Sequence, residues 1–246
     1  EAGVDTSQVV FSDDMITPLA SVLVNRLTGS RTIITRKMQT PPSLTYEQKL
    51  KLDDLAERLI ASEEPVTILI DGHEAEISEY LIKKLPNARV VMDGGSLRAS
   101  NIKLAAWTDY FVVSEHFARD YMSYRSLSTE AEIKAALIEL NKICRGEAFI
   151  TLGEKGCAFL KSGMLQIVPS WLCNAVDTTG AGDVFHGAFT YGVHYSWHID
   201  NIILFASLTA AISIEKKGVR ESMPDLAVVH HSLNSYERNL TQYFEE

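Results

Sequence analysis

Short apolar runs that end on a polar residue, separated by stretches of helical period, constrain this chain more than any other feature. Val66–Ile70 ends at Asp71-Gly72, Arg89–Met92 at Asp93-Gly94-Gly95, and Tyr110–Val113 at Ser114-Glu115, while Ala148–Leu152 carries Thr151 near its end. Between the runs, apolar residues recur at helical spacing: Leu52, Leu55 and Leu59 within 44–61, then Ile77, Leu81 and Leu85, then the stretch 129–144. A run apolar at every position is a strand covered on both faces, and a three-and-four stripe is a helix with one buried side. Their alternation predicts βαβ units, and so an α/β fold with a mostly parallel sheet flanked by helices. Ligands bind such sheets beyond the C-terminal ends of the strands, which is where Asp71, Asp93, Ser114 and Thr151 fall. Aspartate and serine there are equally common as helix N-caps, so their recurrence indicates a site without naming it.

Two hairpins flank this core. Ser21–Asn25 and Arg31–Thr35 alternate around Thr28-Gly29-Ser30, a period-two pattern with one covered face. Residues 18–37 therefore read as a separate β flap, and 1–17 with 38–246 as the main α/β domain. Gly156–Leu160 and Leu165–Val168 predict an antiparallel hairpin at the sheet edge, and the C-terminal third is helical, broken at Gly180, Gly218 and Pro224.

The balance of charge narrows the partners. A net charge of −9 over 246 residues argues against a nucleic-acid groove, which needs a basic surface. The three cysteines, Cys144, Cys157 and Cys173, form no C-x-x-C pair; a reducing, cytoplasmic setting is expected. No apolar run approaches the roughly 20 residues that span a bilayer, so no membrane partner is expected.

The segment that carries chemistry is Asp177-Thr178-Thr179-Gly180-Ala181-Gly182-Asp183, followed by an apolar helix through Phe189 and Val193. Small residues let backbone approach a ligand closely, and a helix start directs free N–H groups and the positive dipole end outward, a combination that binds anions. Asp183 in the first turn adds a carboxylate beside that site. Phosphoryl transfer uses both: donors for the charge on the transferred group and a base for the attacking hydroxyl. The plainer alternative is a glycine-containing helix start with Asp183 compensating the dipole.

This run closely resembles the second signature of the ribokinase-like (PfkB) carbohydrate kinases, and the resemblance extends from about Gly3 to Pro224. It implies an α/β fold with a small β lid and ATP-dependent phosphorylation of a sugar hydroxyl. A ketose or related sugar is the first acceptor expected, a nucleoside the second. By the same resemblance Asp183 is the general base, and the amides of Gly180, Ala181 and Gly182 form an anion hole. Asp177 and Thr179, with Gly218 and Ser222, match a loop pair that holds a monovalent cation, usually K+. Thr151, Gly153 and Gly156 match a T-x-G-x-x-G along the ATP phosphates and ribose, although alone that spacing is a β-turn. Ser207 falls on the helix that flanks adenine, where small residues equally reflect tight packing, and Arg98 is a candidate phosphate contact. The 18–37 hairpin matches the lid, through which relatives often form a homodimer.

Two departures stand out. Where many relatives carry N-x-x-E to organise Mg2+, this chain has Ser114 and Phe117, with Glu115 nearby. Relatives also open with a strand bearing a substrate-binding aspartate and a Gly-Gly motif. Neither precedes Gly3, so the natural protein is expected to supply that piece, or another chain to cover the gap. A dinucleotide fingerprint, a P-loop and an H-E-x-x-H helix are all absent from the sequence. The remaining rival reading is a catalytically weakened relative that binds nucleotide or regulates.

Overall fold

The computed structural model describes residues 3–9, 17–24, 31–36 and 43–233. The chain divides into two compact units, Glu1–Leu55 and Ala56–Glu246. In the first, β1 (Ala20–Val24) pairs antiparallel with β2 (Arg31–Thr35), Ala20 opposite Thr35 and Val24 opposite Arg31. The expected turn Thr28-Gly29-Ser30 lies outside the described residues. Helix α1 (Tyr46–Ala61) carries the chain from one unit into the next. It begins where Gln48 N donates to Thr45 Oγ1 at 3.2 Å and Thr45 N donates to Gln48 Oε1 at 2.9 Å, a reciprocal cap that satisfies orphan amides.

The second unit runs β3 (Thr67–Ile70), α2 (Ala75–Lys84), β4 (Arg89–Gly94), α3 (Ala99–Ala105), β5 (Tyr110–Ser114), α4 (Glu115–Tyr121), α5 (Glu130–Ile143), β6 (Glu147–Thr151), β7 (Cys157–Lys161), β8 (Met164–Val168), α6 (Ala181–His194) and α7 (Ile199–Ser213). Residues 226–233 are also helical. The strands lie in the order β3-β4-β5-β6-β7-β8; β3 to β6 are parallel, and β7 and β8 form the expected antiparallel hairpin. Among the described residues no helix is long and apolar enough to cross a membrane.

Strand geometry explains the unbroken apolar runs. Successive side chains point to opposite faces, and helices cover both. Val90, Met92, Phe111, Val113, Ala148 and Ile150 share one core with residues of α2, α3, α4 and α5. Val91, Val112, Phe149 and Phe159 share the other with Phe185, Ala188 and Phe189 of α6 and with α7. Phe149 is central there, its ring 5.3 Å from that of Phe189 and 5.6 Å from that of Phe159.

Helices α3 and α4 are not legible from periodicity. Each has seven residues, too few turns to display a stripe. Helix α4 is instead specified by its cap: Ser114 Oγ accepts from Phe117 N at 3.0 Å and donates to Gly95 O at 2.9 Å. Ser114 is thus a helix cap that also ties the β4 and β5 ends together.

Helix α6 lies antiparallel to β3 and β4. At its C-terminus, Arg89 Nη1 donates to Val193 O at 2.5 Å and His194 O at 3.3 Å, and Thr67 Oγ1 lies 3.3 Å from His194 Nδ1. Arg89 and Thr67 begin β4 and β3, so the start of α6 is carried to the opposite end of the sheet, where the parallel strands finish. At the lower end, Asp109 accepts from Val90 N at 2.8 Å and pairs with Arg145.

Phe149→Ala should lower unfolding free energy by about 3–5 kcal/mol, through lost burial and the cavity it leaves. Leu172→Ala, at a fully exposed position, should change it by no more than about 0.5 kcal/mol. Denaturant titration of the pair tests whether this aromatic layer is the core of the α6 face.

Candidate active site

The segment singled out by sequence begins α6. Gly180 is its N-cap, left-handed at φ +75°. A Cβ on Gly180 would sit 2.6 Å from Val219 Cγ1, so both backbone angle and space require glycine there. Val184 N makes the first helical bond to Gly180 O at 2.9 Å, and Ala181 N reaches Thr178 O only at 3.4 Å. The amides of Gly182 and Asp183 precede any intrahelical acceptor, and both residues are exposed. The first turn therefore presents amide donors and the positive end of a 14-residue helix to solvent.

Asp183 lines a cleft of about 440 Å³ with Leu69, Ile70, Asp71, Glu74, Ser78, Asp93 and His186. Asp71 and Asp93 arrive from the C-terminal ends of β3 and β4, as the sequence pattern implied. Asp71 Oδ1 accepts from His73 N at 2.9 Å, which shapes the turn into α2. Beneath that turn Asn101 Nδ2 donates to Asp71 O at 3.1 Å.

Glu74, Ser78 and His186 are cleft residues that the sequence reading missed. The first two belong to the start of α2, whose stripe pointed only to its buried side. His186 had one available signal: it follows Asp183 by three positions, so the two share a helix face. Its ring is 3% exposed. Nδ1 lies 2.7 Å from Gly182 O and 3.3 Å from Asp93 Oδ2, and Nε2 lies 3.2 Å from Val112 O.

The Asp93 carboxyl is pushed above its ordinary value by burial first; Asp183 and Asp71 add to the rise, and His186 opposes it. The thiols are pushed up by burial too, Cys157 to about 12 and Cys144 to about 11, as expected of packing residues.

The remaining sequence candidates fall in separate places. Asp177 and Thr179 meet Gly218 and Ser222: Asp177 Oδ1 accepts from Thr179 N at 3.1 Å, Oδ2 from Gly218 N at 3.3 Å, and Ser222 N donates to Gly218 O at 3.1 Å. One carboxylate thus joins the two loops, with the buried Ser222 alongside. Thr151 ends β6 opposite Ser114 of β5. Gly153, at φ +60°, opens a short 3-10 turn closed by Gly156 N to Gly153 O at 3.0 Å. A Cβ on Gly156 would lie 2.0 Å from Val168 O, so packing against β8 alone demands that glycine. Ser207 is buried within α7 and Arg98 is the N-cap of α3; neither lines the cleft. Phe117, which stands where the sequence resemblance led to the expectation of a glutamate, is fully buried in the core. Among the described residues no three His, Cys, Asp or Glu side chains converge to hold a metal ion.

Gly180→Ala should cost about 1–2 kcal/mol from the left-handed backbone alone, plus the collision with Val219. Gly182→Ala, with open space at its Cβ, should be neutral or stabilise by up to about 1 kcal/mol. Equal melting shifts for the two would contradict the cap geometry. Asp93 yields a pH prediction. Its raised folded value means that its contribution to stability is full below the ordinary 3.8 and is lost as pH rises through the folded value. The melting temperature of Asp93→Asn relative to wild type should therefore fall as pH drops through that value, on top of a pH-independent offset from its lost contact with His186. A relative melting temperature that rises in acid would reverse the sign.

The chain matches the pfkB family carbohydrate kinases over residues 1–226. The ribokinase of Lactococcus lactis subsp. lactis (strain IL1403) is 29% identical over 189 residues, covering 77% of this chain and 60% of that protein. The deoxyribokinase of Salmonella typhi is 31% identical over 131 residues, covering 53% of this chain and 42% of that one. The ribokinase structure from Giardia lamblia aligns with a TM-score of 0.72 at 21% identity, covering 89% of this chain and 72% of that chain. The chain spans less than two thirds of the length of these two curated relatives. A family match over most of the sequence places this chain in the pfkB family of carbohydrate kinases.

Proposed function

We propose that this chain belongs to an ATP-dependent kinase that phosphorylates a hydroxyl of a small sugar. The observation that carries the reading is the start of α6, where Asp183 faces the cleft beside exposed amides of the same turn. Asp183 takes the proton from the acceptor hydroxyl, the freed oxygen bonds to the γ-phosphorus, and the bond to ADP breaks. The amides at Gly180, Ala181 and Gly182 bind the charge on the transferred group, where donors fixed in advance lower the barrier most. Thr151 and Gly153, at the C-terminal end of β6, line the proposed path of the nucleotide.

Mg2+ enters this reading as part of the nucleotide substrate. The Asp177 carboxylate, which accepts from Thr179 N and Gly218 N, is a hard oxygen group of the kind K+ takes; with Thr179, Gly218 and Ser222 it would hold that ion and supply positive charge to the site. The ribokinase and deoxyribokinase relatives support a pentose as acceptor, and the Arabidopsis thaliana ribokinase was solved with ribose and ATP. We further assign the lid role to the β1–β2 hairpin, with a second copy of the chain pairing through it. A second reading, a catalytically weakened relative that binds nucleotide or regulates, draws its support from Phe117, which supplies no carboxylate at the magnesium position.

Asp183→Asn separates the readings. Loss of the base should lower kcat by about 10²–10⁴ while leaving KM for ATP nearly unchanged, measured on the full natural chain with ribose, deoxyribose and fructose. Absence of turnover by the wild-type protein on every sugar would favour the second reading.

A further inference from the structure

Among the described residues, the ring of His186 meets only acceptors. Gly182 O and Val112 O are carbonyl oxygens without a hydrogen to give, and Asp93 Oδ2 completes the set. A ring with a single N–H would leave one nitrogen lone pair facing an oxygen lone pair, in a position sealed from water. Such a mismatch leaves a buried polar group unsatisfied. Two N–H groups satisfy all three contacts and set a positive ring against the Asp93 carboxylate.

The charges around the ring agree. Asp93 faces it from β4, Asp183 lies one turn before it on α6, and Asp71 and Glu74 line the same cleft from the ends of β3 and the start of α2; β5 contributes the Val112 carbonyl. Among the described residues lining this cleft, His186 alone can carry positive charge. The contacts also span three elements: Asp93 and Val112 are register partners on β4 and β5, and Gly182 is in the first turn of α6.

We propose that His186 is a positioning residue of this site, a doubly protonated imidazole that bolts the first turn of α6 to the ends of β4 and β5 and holds Asp93 beside Asp183. Its effect on catalysis rests on the kinase reading above. Asp93, kept ionised and aimed into the cleft, accepts a hydrogen bond from a second hydroxyl of the acceptor and leaves Asp183 free to take the proton. The ring thereby acts through two carboxylates without touching substrate.

Two substitutions divide the ring's contacts. His186→Asn keeps a donor near the Nδ1 position, toward Gly182 and Asp93. His186→Gln keeps one near the Nε2 position, toward Val112. In the full natural chain, kcat of the Asn variant should exceed that of the Gln variant by about tenfold or more, since small misplacements of reacting groups cost up to about 10²-fold. KM for ATP should hold in both. Activities that simply follow the melting temperatures, or a Gln variant as active as the Asn one, would overturn the proposal. The ring itself supplies a readout that needs no turnover: the 15N spectrum of the wild-type protein at neutral pH, assigned with the variants, should show hydrogens on both His186 nitrogens. A bare ring nitrogen would sink the bolt. If the spectrum is as expected but no sugar is phosphorylated, the kinase reading falls and the bolt stands.

Discussion

The placement of α6 along the sheet is the constraint on which the rest of this unit depends. Aromatic packing presses the middle of the helix against the sheet, where Phe189 meets Phe149 and Tyr110. That contact is apolar and non-directional, so it sets distance better than axial position. Axial position comes from polar ties at the ends. Arg89 and Thr67 hold the last turn over the beginnings of β4 and β3, and His186 holds the first over the ends of β4 and β5. A helix held at both ends cannot slide, and its N-terminus is delivered to the strand ends where Asp71 and Asp93 already stand.

The cleft that results is electrostatically divided. One wall carries the amides of the α6 start, which attract negative charge; the floor carries Asp71, Asp93 and Asp183, which repel it. Placing a half-buried carboxylate here works against the fold: burial first, and Asp183 and Asp71 after it, push the Asp93 carboxyl above its ordinary value. Functional sites often retain this kind of local cost because the surrounding structure holds it in place. Here the retaining elements are identifiable: Gly180 turned left-handed against Val219, Asp177 joining the Thr179 and Gly218 loops, and the sealed His186 ring.

Several residues show how one position answers to more than one demand. Ser114 was equally a helix cap and a site residue in the sequence, and the structure uses its hydroxyl twice, on Phe117 N and Gly95 O. Gly156 belongs to a phosphate-loop pattern, yet the backbone of β8 would exclude any side chain there. Ser207 and Arg98 were read from the family resemblance, which set Ser207 beside adenine rather than in this cleft, and neither residue lines it. A motif gives residue types at fixed spacing; it carries no information on which face of a helix, or which side of a strand end, a side chain takes.

By itself the sequence determined the layer architecture, because unbroken apolar runs such as Arg89–Met92 and striped helices such as Glu130–Ile143 have only one mutual arrangement that buries both. It also located the glycine-capped start of α6 with Asp183 in its first turn, because small residues followed by an acid at a helix start act through local backbone geometry. Helices α3 and α4 escaped it, since seven residues are too few to display a period. Only the tertiary structure decided that Asp71, Asp93, Asp183 and His186 share one cleft. Asp71 and Asp93 come from strand ends far in the chain from the α6 pair Asp183 and His186, and their meeting is set by strand register and the axial position of one helix. Both are long-range quantities, and no local pattern of residues encodes them.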